Sequence, residues 1–96
     1  LAALGSQAYL VNIARGTVVD EEALLKALQE ITIAGAGLDV FTNEPHVPEA
    51  FYTLDNVVLM PHLASATFET REAMAQRVID NLDAFFSTGE VISRVV

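Results

Sequence analysis

Three short apolar runs punctuate the chain: 9–14 (YLVNIA), 34–40 (AGAGLDV) and 57–61 (VVLMP). Each is nearly continuous in apolar character rather than alternating, which is the pattern of strands buried on both faces of a parallel sheet. Between the first two lies DEEALLKALQE, 20–30, where Leu24, Leu25 and Leu28 recur at helical spacing. Asp20 is placed to cap that helix, and Glu21 and Glu22 suit the positive end of its dipole. Strand, helix, strand in this order predicts a right-handed parallel unit. A longer helix is predicted over 67–87, with Glu69 and Glu72 in its first turn and Met74, Val78, Ile79, Leu82, Phe85 and Phe86 along one stripe. Gly89 is placed to end it. Residues 1–4 read as the tail of another helix, stopped near Gly5.

The alternation of strand and helix predicts an α/β fold with a doubly wound parallel sheet. Three parallel strands leave an unpaired edge, and their faces need more helices than 96 residues supply. The expectation is therefore half of a domain, and a first residue that is Leu1 rather than Met agrees with it.

Composition and charge narrow the function classes. Apolar residues make up 52% of the chain and charged ones 19%, so it is built to pack rather than to stay disordered. The absence of Cys removes a disulfide scaffold, a zinc knuckle and a thiol nucleophile, and suits a reducing compartment. No signal-peptide pattern and no bilayer-length apolar run is present, so a cytoplasmic protein without membrane contact is expected. A net charge of −8 repels phosphate backbones and argues against nucleic acid as a partner. No metal site is expected.

In open parallel sheets, ligands bind at the carboxyl ends of the strands. Arg15 follows the first predicted strand, the second ends with Asp39 and is followed by Glu44, and His62 follows the third. One cation, two carboxylates and one imidazole are thereby predicted along a single sheet edge. Arg presents a planar fork of donors that matches a carboxylate. His exchanges a proton near neutral pH, and a carboxylate on its far ring nitrogen fixes the tautomer. Such a set suits interconversion of a 2-oxoacid and a 2-hydroxyacid, with hydride from a cofactor because no side chain supplies one.

At these residues the chain resembles the D-isomer-specific 2-hydroxyacid dehydrogenases. The resemblance is carried by VNIARGTVVDEEALLKAL, GAGLDVFTNEPHVPE and LDNVVLMPHLASATFETREAM, in order, over nearly the whole length. Within the family, 43–48 and PHLASATFETREAM look most like the glyoxylate/hydroxypyruvate reductase and 2-ketogluconate reductase branch. The resemblance implies the C-terminal half of a Rossmann-type NAD(P)-binding domain in a two-domain protein. Residues 1–88 would belong to that domain, and 89–96 would begin the return to the substrate domain. It also implies that Arg15 binds the substrate carboxylate, that His62 is the acid/base and that Glu44 is its partner. Ala14, Arg15, Asp39 and His62 would approach the cofactor, Asp39 at the nicotinamide carboxamide, and Ser65 would lie near the substrate. The parent would be a homodimer that uses NADP or NAD. The family's phosphate-binding G-x-G-x-x-G and its ribose-selecting residue have no counterpart here, since Gly35 and Gly37 fall inside a predicted strand. The isolated chain is accordingly expected to be inactive.

Plainer readings stand beside these. Arg15 fits an ordinary loop Arg, Asp39 a turn cap, Glu44 a loop acid and His62 a structural His. His46, between two prolines, is assigned to the loop alone. Ser65 and Thr67 are helix-entry residues, with Thr67 the cap. An Asp39, His62, Ser65 hydrolase lacks the G-x-S-x-G elbow and has its Ser only three residues from its His. The alternative to an enzyme is a dehydrogenase-like NAD(P)-binding scaffold or corepressor module.

Overall fold

The computed structural model describes all residues from Leu1 to Val96. They divide into two compact units, Leu1–Ala64 and Ser65–Val96.

The apolar runs of the first unit become three strands: β1 (Tyr9–Asn12), β2 (Gly35–Leu38) and β3 (Val57–Leu59). They pair in the order β1-β2-β3, all parallel, with Val11 beside Gly37 and Gly37 beside Val58. Helix α1 (Glu21–Gln29) connects β1 to β2. Its start follows from local chemistry, because Asp20 accepts a hydrogen bond from the Ala23 amide at 2.9 Å and Glu21 and Glu22 occupy the first turn. Such a cap contributes about 1 kcal/mol. The apolar stripe of α1 supplies Leu24, Ala27 and Leu28 to a core completed by Ile33, Ala36, Leu38, Phe41 and Phe51. Leu24, Leu28, Ile33 and Phe51 are fully enclosed, and each large apolar side chain buried this way stabilises the unit by about 1.5–3 kcal/mol. Phe51 arrives on a short 3-10 turn, Glu49–Thr53, between β2 and β3.

Alternation along the strands puts Leu10, Ala36, Leu38, Val57 and Leu59 on or against this core. The residues between them face the other way. Tyr9 is 74% exposed and Val11 71%, and Ile13, Val58 and Met60 are exposed beside them. The strands are therefore covered on one face only within this unit, not on both as their composition predicts. The reason is topological: the single crossover helix and the 3-10 turn cover one side of the sheet. On the same bare face, a Cβ added at Gly37 would meet only Val11, at ordinary contact distance. Gly35 is tighter, with the Asn56 carbonyl oxygen 2.6 Å from the place of its Cβ. At the amino terminus, Ala2–Leu4 form a 3-10 turn ending at Gly5, whose φ is 85°.

The second unit is built on helix α2 (Phe68–Thr88). Thr67 caps it by accepting from the Thr70 amide, and Gly89 ends it in the left-handed conformation with its N–H on the Phe85 carbonyl. The Ser93 amide returns to the Asn81 side chain at 2.9 Å. No residue of α2 is buried, and its stripe of Met74, Val78, Ile79, Leu82, Phe85 and Phe86 is exposed. No helix in the protein is long and apolar enough to cross a membrane.

Candidate active site

The carboxyl ends of β1, β2 and β3 lie side by side, so the loops leaving them share one edge of the sheet. Arg15 is carried by the loop after β1, Asp39 and Glu44 by the segment after β2, and His62 by the segment after β3. These loops meet around a shallow hollow of about 380 Å³ lined by Arg15, Gly16, Thr17, Phe41, Thr42, Glu44 and His62. A second hollow of about 370 Å³, mostly apolar, shares Phe41, Glu44 and His62 with it and is also lined by Tyr52 and Met60.

The Glu44–His62 pair lines both hollows. His62 Nδ1 lies 2.8 Å from Glu44 Oε2, and both side chains are roughly half-exposed. The other carboxylate oxygen, Oε1, accepts the Phe41 amide at 3.0 Å. Glu44 is held below the usual carboxylate range, first by the His62 hydrogen bond and next by the Phe41 amide. Partial burial opposes this, while the charges of His62 and Arg15 add to it. An ionised carboxylate only accepts, so Nδ1 is the protonated, donating nitrogen of the pair.

Asp39 is 3% exposed, directly after β2. Its Oδ1 accepts the Leu63 amide and its Oδ2 the Ala64 amide, each at 2.8 Å. The Leu63 hydrogen bond is the largest cause of its lowered pKa; burial opposes, and the Ala64 amide and the nearby His62 charge support it. His62 itself has φ of 56°, in the left-handed region. A non-glycine residue there costs on the order of 1–3 kcal/mol.

Arg15 is exposed, with Nη1 donating to the Ala14 carbonyl at 2.6 Å. Ala14 in turn donates its amide to the Asn12 side chain. Ser65 is exposed in the turn before α2 and belongs to the second unit. His46 is exposed in a turn, its amide on the Asn43 carbonyl. No group of three or more His, Cys, Asp or Glu side chains is arranged to hold a metal ion.

Residues 1–64, the whole first unit, match the sequence profile of the D-isomer specific 2-hydroxyacid dehydrogenase NAD-binding domain. The chain belongs to this family. It is 60% identical over its full length to a 2-ketogluconate reductase of Gluconobacter oxydans, covering 31% of that protein. It is 64% identical over 84 residues, 88% of the chain and 25% of the relative, to a glyoxylate reductase of Pyrococcus furiosus. Among solved structures, an NADPH-dependent glyoxylate/hydroxypyruvate reductase of Sinorhizobium meliloti, in complex with NADP and malonate, superposes with a TM-score of 0.84. That match has 58% identity and covers 99% of this chain and 30% of the other. The chain thus spans about a third or less of the length of these relatives, and the Rossmann-type α/β fragment expected of a 2-hydroxyacid dehydrogenase is what it forms.

Two residues that hold these loops in place fall outside the sequence reading. Gly16 is buried, and a Cβ there would run into the backbone of Phe41 and Thr42, so only glycine lets the loops after β1 and β2 touch. Asn12 is 5% exposed and braces the turn that carries Arg15. The signal for Asn12 is present in the sequence as a lone amide inside an apolar run; for Gly16 it lies only in tertiary contact.

Proposed function

We propose that the full-length protein carrying this chain is an NAD(P)H-dependent reductase of small 2-oxoacids, of the glyoxylate or hydroxypyruvate type, forming the D-2-hydroxyacid. The observation that carries this reading is the hydrogen-bonded Glu44–His62 pair in the wall of the same hollow as Arg15. The named activities of the relatives support it.

In this reading Arg15 grips the substrate carboxylate with its guanidinium and draws electron density from the adjacent carbonyl. His62, held by Glu44 through Nδ1, presents Nε2 as the proton donor to the carbonyl oxygen. Glu44 stabilises the imidazolium before transfer and keeps the ring oriented after it. In the reverse direction the same Nε2 takes the hydroxyl proton.

The chemistry of the donor set fits a nicotinamide cofactor, since an anion anchor and a proton donor without a reductant cannot reduce a ketone. When bound, that cofactor supplies the hydride. Ala14, Arg15, Asp39 and His62 would line its nicotinamide end. Each Asp39 oxygen keeps a lone pair for a carboxamide N–H while accepting its backbone amide. Ser65 would contribute at the substrate. The phosphate-binding loop is expected outside this chain, because no G-x-G-x-x-G occurs in it. Residues 1–88 would then complete the nucleotide-binding domain and 89–96 lead back to the substrate domain of a dimeric, cytoplasmic enzyme.

The test is steady-state oxidation of NADPH and NADH by the full-length protein with glyoxylate and with hydroxypyruvate. Sustained turnover with at least one pair is expected. Cofactor binding with no turnover on any small 2-oxoacid would contradict the reading and favour a scaffold or corepressor role.

A further inference from the structure

Only two polar side chains of the protein are buried, Asn12 and Asp39. They lie at the ends of neighbouring strands, and the Asp39 amide donates to the Asn12 carbonyl at 3.0 Å. Each turns its side chain onto the backbone of the loop that carries one of the proposed active groups. Asn12 donates from Nδ2 to the Arg15 carbonyl at 2.9 Å and accepts the Ala14 amide on Oδ1 at 3.1 Å. Asp39 accepts the amides of Leu63 and Ala64, the two residues after His62.

The two side chains have nearly the same shape, yet their hydrogen-bond roles are not interchangeable. The loop after β1 offers one carbonyl and one N–H, which an amide satisfies and a carboxylate does not, having no donor when ionised. The loop after β3 offers two N–H groups, which a carboxylate satisfies and an amide does not, having only one acceptor oxygen. The left-handed backbone of His62 gives the second brace a specific task. A strained residue persists only where its surroundings over-determine it, and two charge-assisted bonds to the next two amides do so.

We infer that Asn12 and Asp39 are positioning residues, a matched pair of braces under the site, of which Asn12 sets the place of Arg15 and Asp39 the place of His62. The inference rests on the roles proposed above for Arg15 and His62. It also gives a physical reason for an amide at one strand end and a carboxylate at the next.

The test uses the full-length holoenzyme and the near-isosteric exchanges Asn12→Asp and Asp39→Asn, with kinetics expressed per folded molecule. A displacement of about 1 Å costs on the order of a hundredfold in rate. Asn12→Asp should therefore raise KM for the 2-oxoacid at least about tenfold, through Arg15, with KM for NADPH within about threefold. Asp39→Asn should lower kcat at least about tenfold through His62, and Asp39→Glu, which keeps charge but not reach, should not restore it. A lower melting temperature with kcat and KM unchanged in both variants would make the residues merely structural and overturn the inference. Wild-type activity in Asp39→Glu, or a change confined to KM for NADPH, would overturn the Asp39 brace.

If the variants do not fold, amide hydrogen exchange of the wild-type protein decides. The Ala14, Leu63 and Ala64 amides should be protected like strand amides, and exchange at free-loop rates would overturn the braces. Because this measurement needs no turnover, it separates failure of the braces from failure of the proposed activity.

Discussion

Arg15, Glu44 and His62 each have a plain explanation when taken alone, and it is their shared hollow that makes a chemical reading possible. The consequence most specific to residue type concerns Arg15. A lysine keeps the charge but replaces a planar fork with a point, so Arg15→Lys should reduce kcat/KM for the oxoacid by about 1.5–3 kcal/mol, the range for hydrogen bonds to charged groups. Steady-state kinetics check this, and unchanged kcat/KM would remove Arg15 from the site. The two carboxylates make a pH prediction. Asp39 and Glu44 both titrate lower in the folded chain than in the unfolded one. Their ionised forms therefore favour folding above the ordinary carboxylate range, and that stability is lost as pH falls through the lowered folded-state values. Asp39→Asn should be less stable than wild type at neutral pH and should lose less on acidification. Urea midpoints measured at both pH values check this; parallel acid losses would show that the Asp39 carboxylate is not linked to folding.

Among the elements, those fixed by local chemistry are legible in the sequence. The caps Asp20 and Thr67, the leucine stripe of α1 and the Gly89 stop all act within a few residues of themselves. The three strand cores are legible as apolar runs, although the strands are shorter than those runs because pairing ends where the loops turn toward the site. The placement of Arg15, Glu44 and His62 beyond successive strand ends was also legible, since it needs only parallel order. What distant segments impose was not. The two backbone amides on Asp39 come from 24 and 25 residues away, and the contact that demands Gly16 comes from Phe41 and Thr42. That contact carries its own prediction. Gly16→Ala must push apart the loops bearing Arg15 and Glu44, and overpacking of this kind costs about 1–3 kcal/mol. A lowered urea midpoint together with a raised KM for the oxoacid is expected, and a variant unchanged in both would contradict the close approach.

At the scale of the whole molecule, the sheet of the first unit is finished on one face and bare on the other, where Tyr9, Val11, Ile13, Val58 and Met60 are exposed. An apolar surface of this kind marks an interaction surface. The isolated 96-residue chain should therefore self-associate with rising concentration in sedimentation velocity and bind NADPH weakly or not at all. A stable monomer that binds NADPH tightly would contradict the view that the nucleotide site needs sequence beyond this chain. The central claim, however, is that His62 supplies the proton from a position set by Glu44. Its most direct test is His62→Gln in the full-length protein, read as kcat for NADPH oxidation with glyoxylate or hydroxypyruvate alongside NADPH affinity. Loss of the proton donor should lower kcat by about 10²–10⁴-fold with cofactor binding retained. A variant whose kcat stays within about twofold of wild type would contradict the claim.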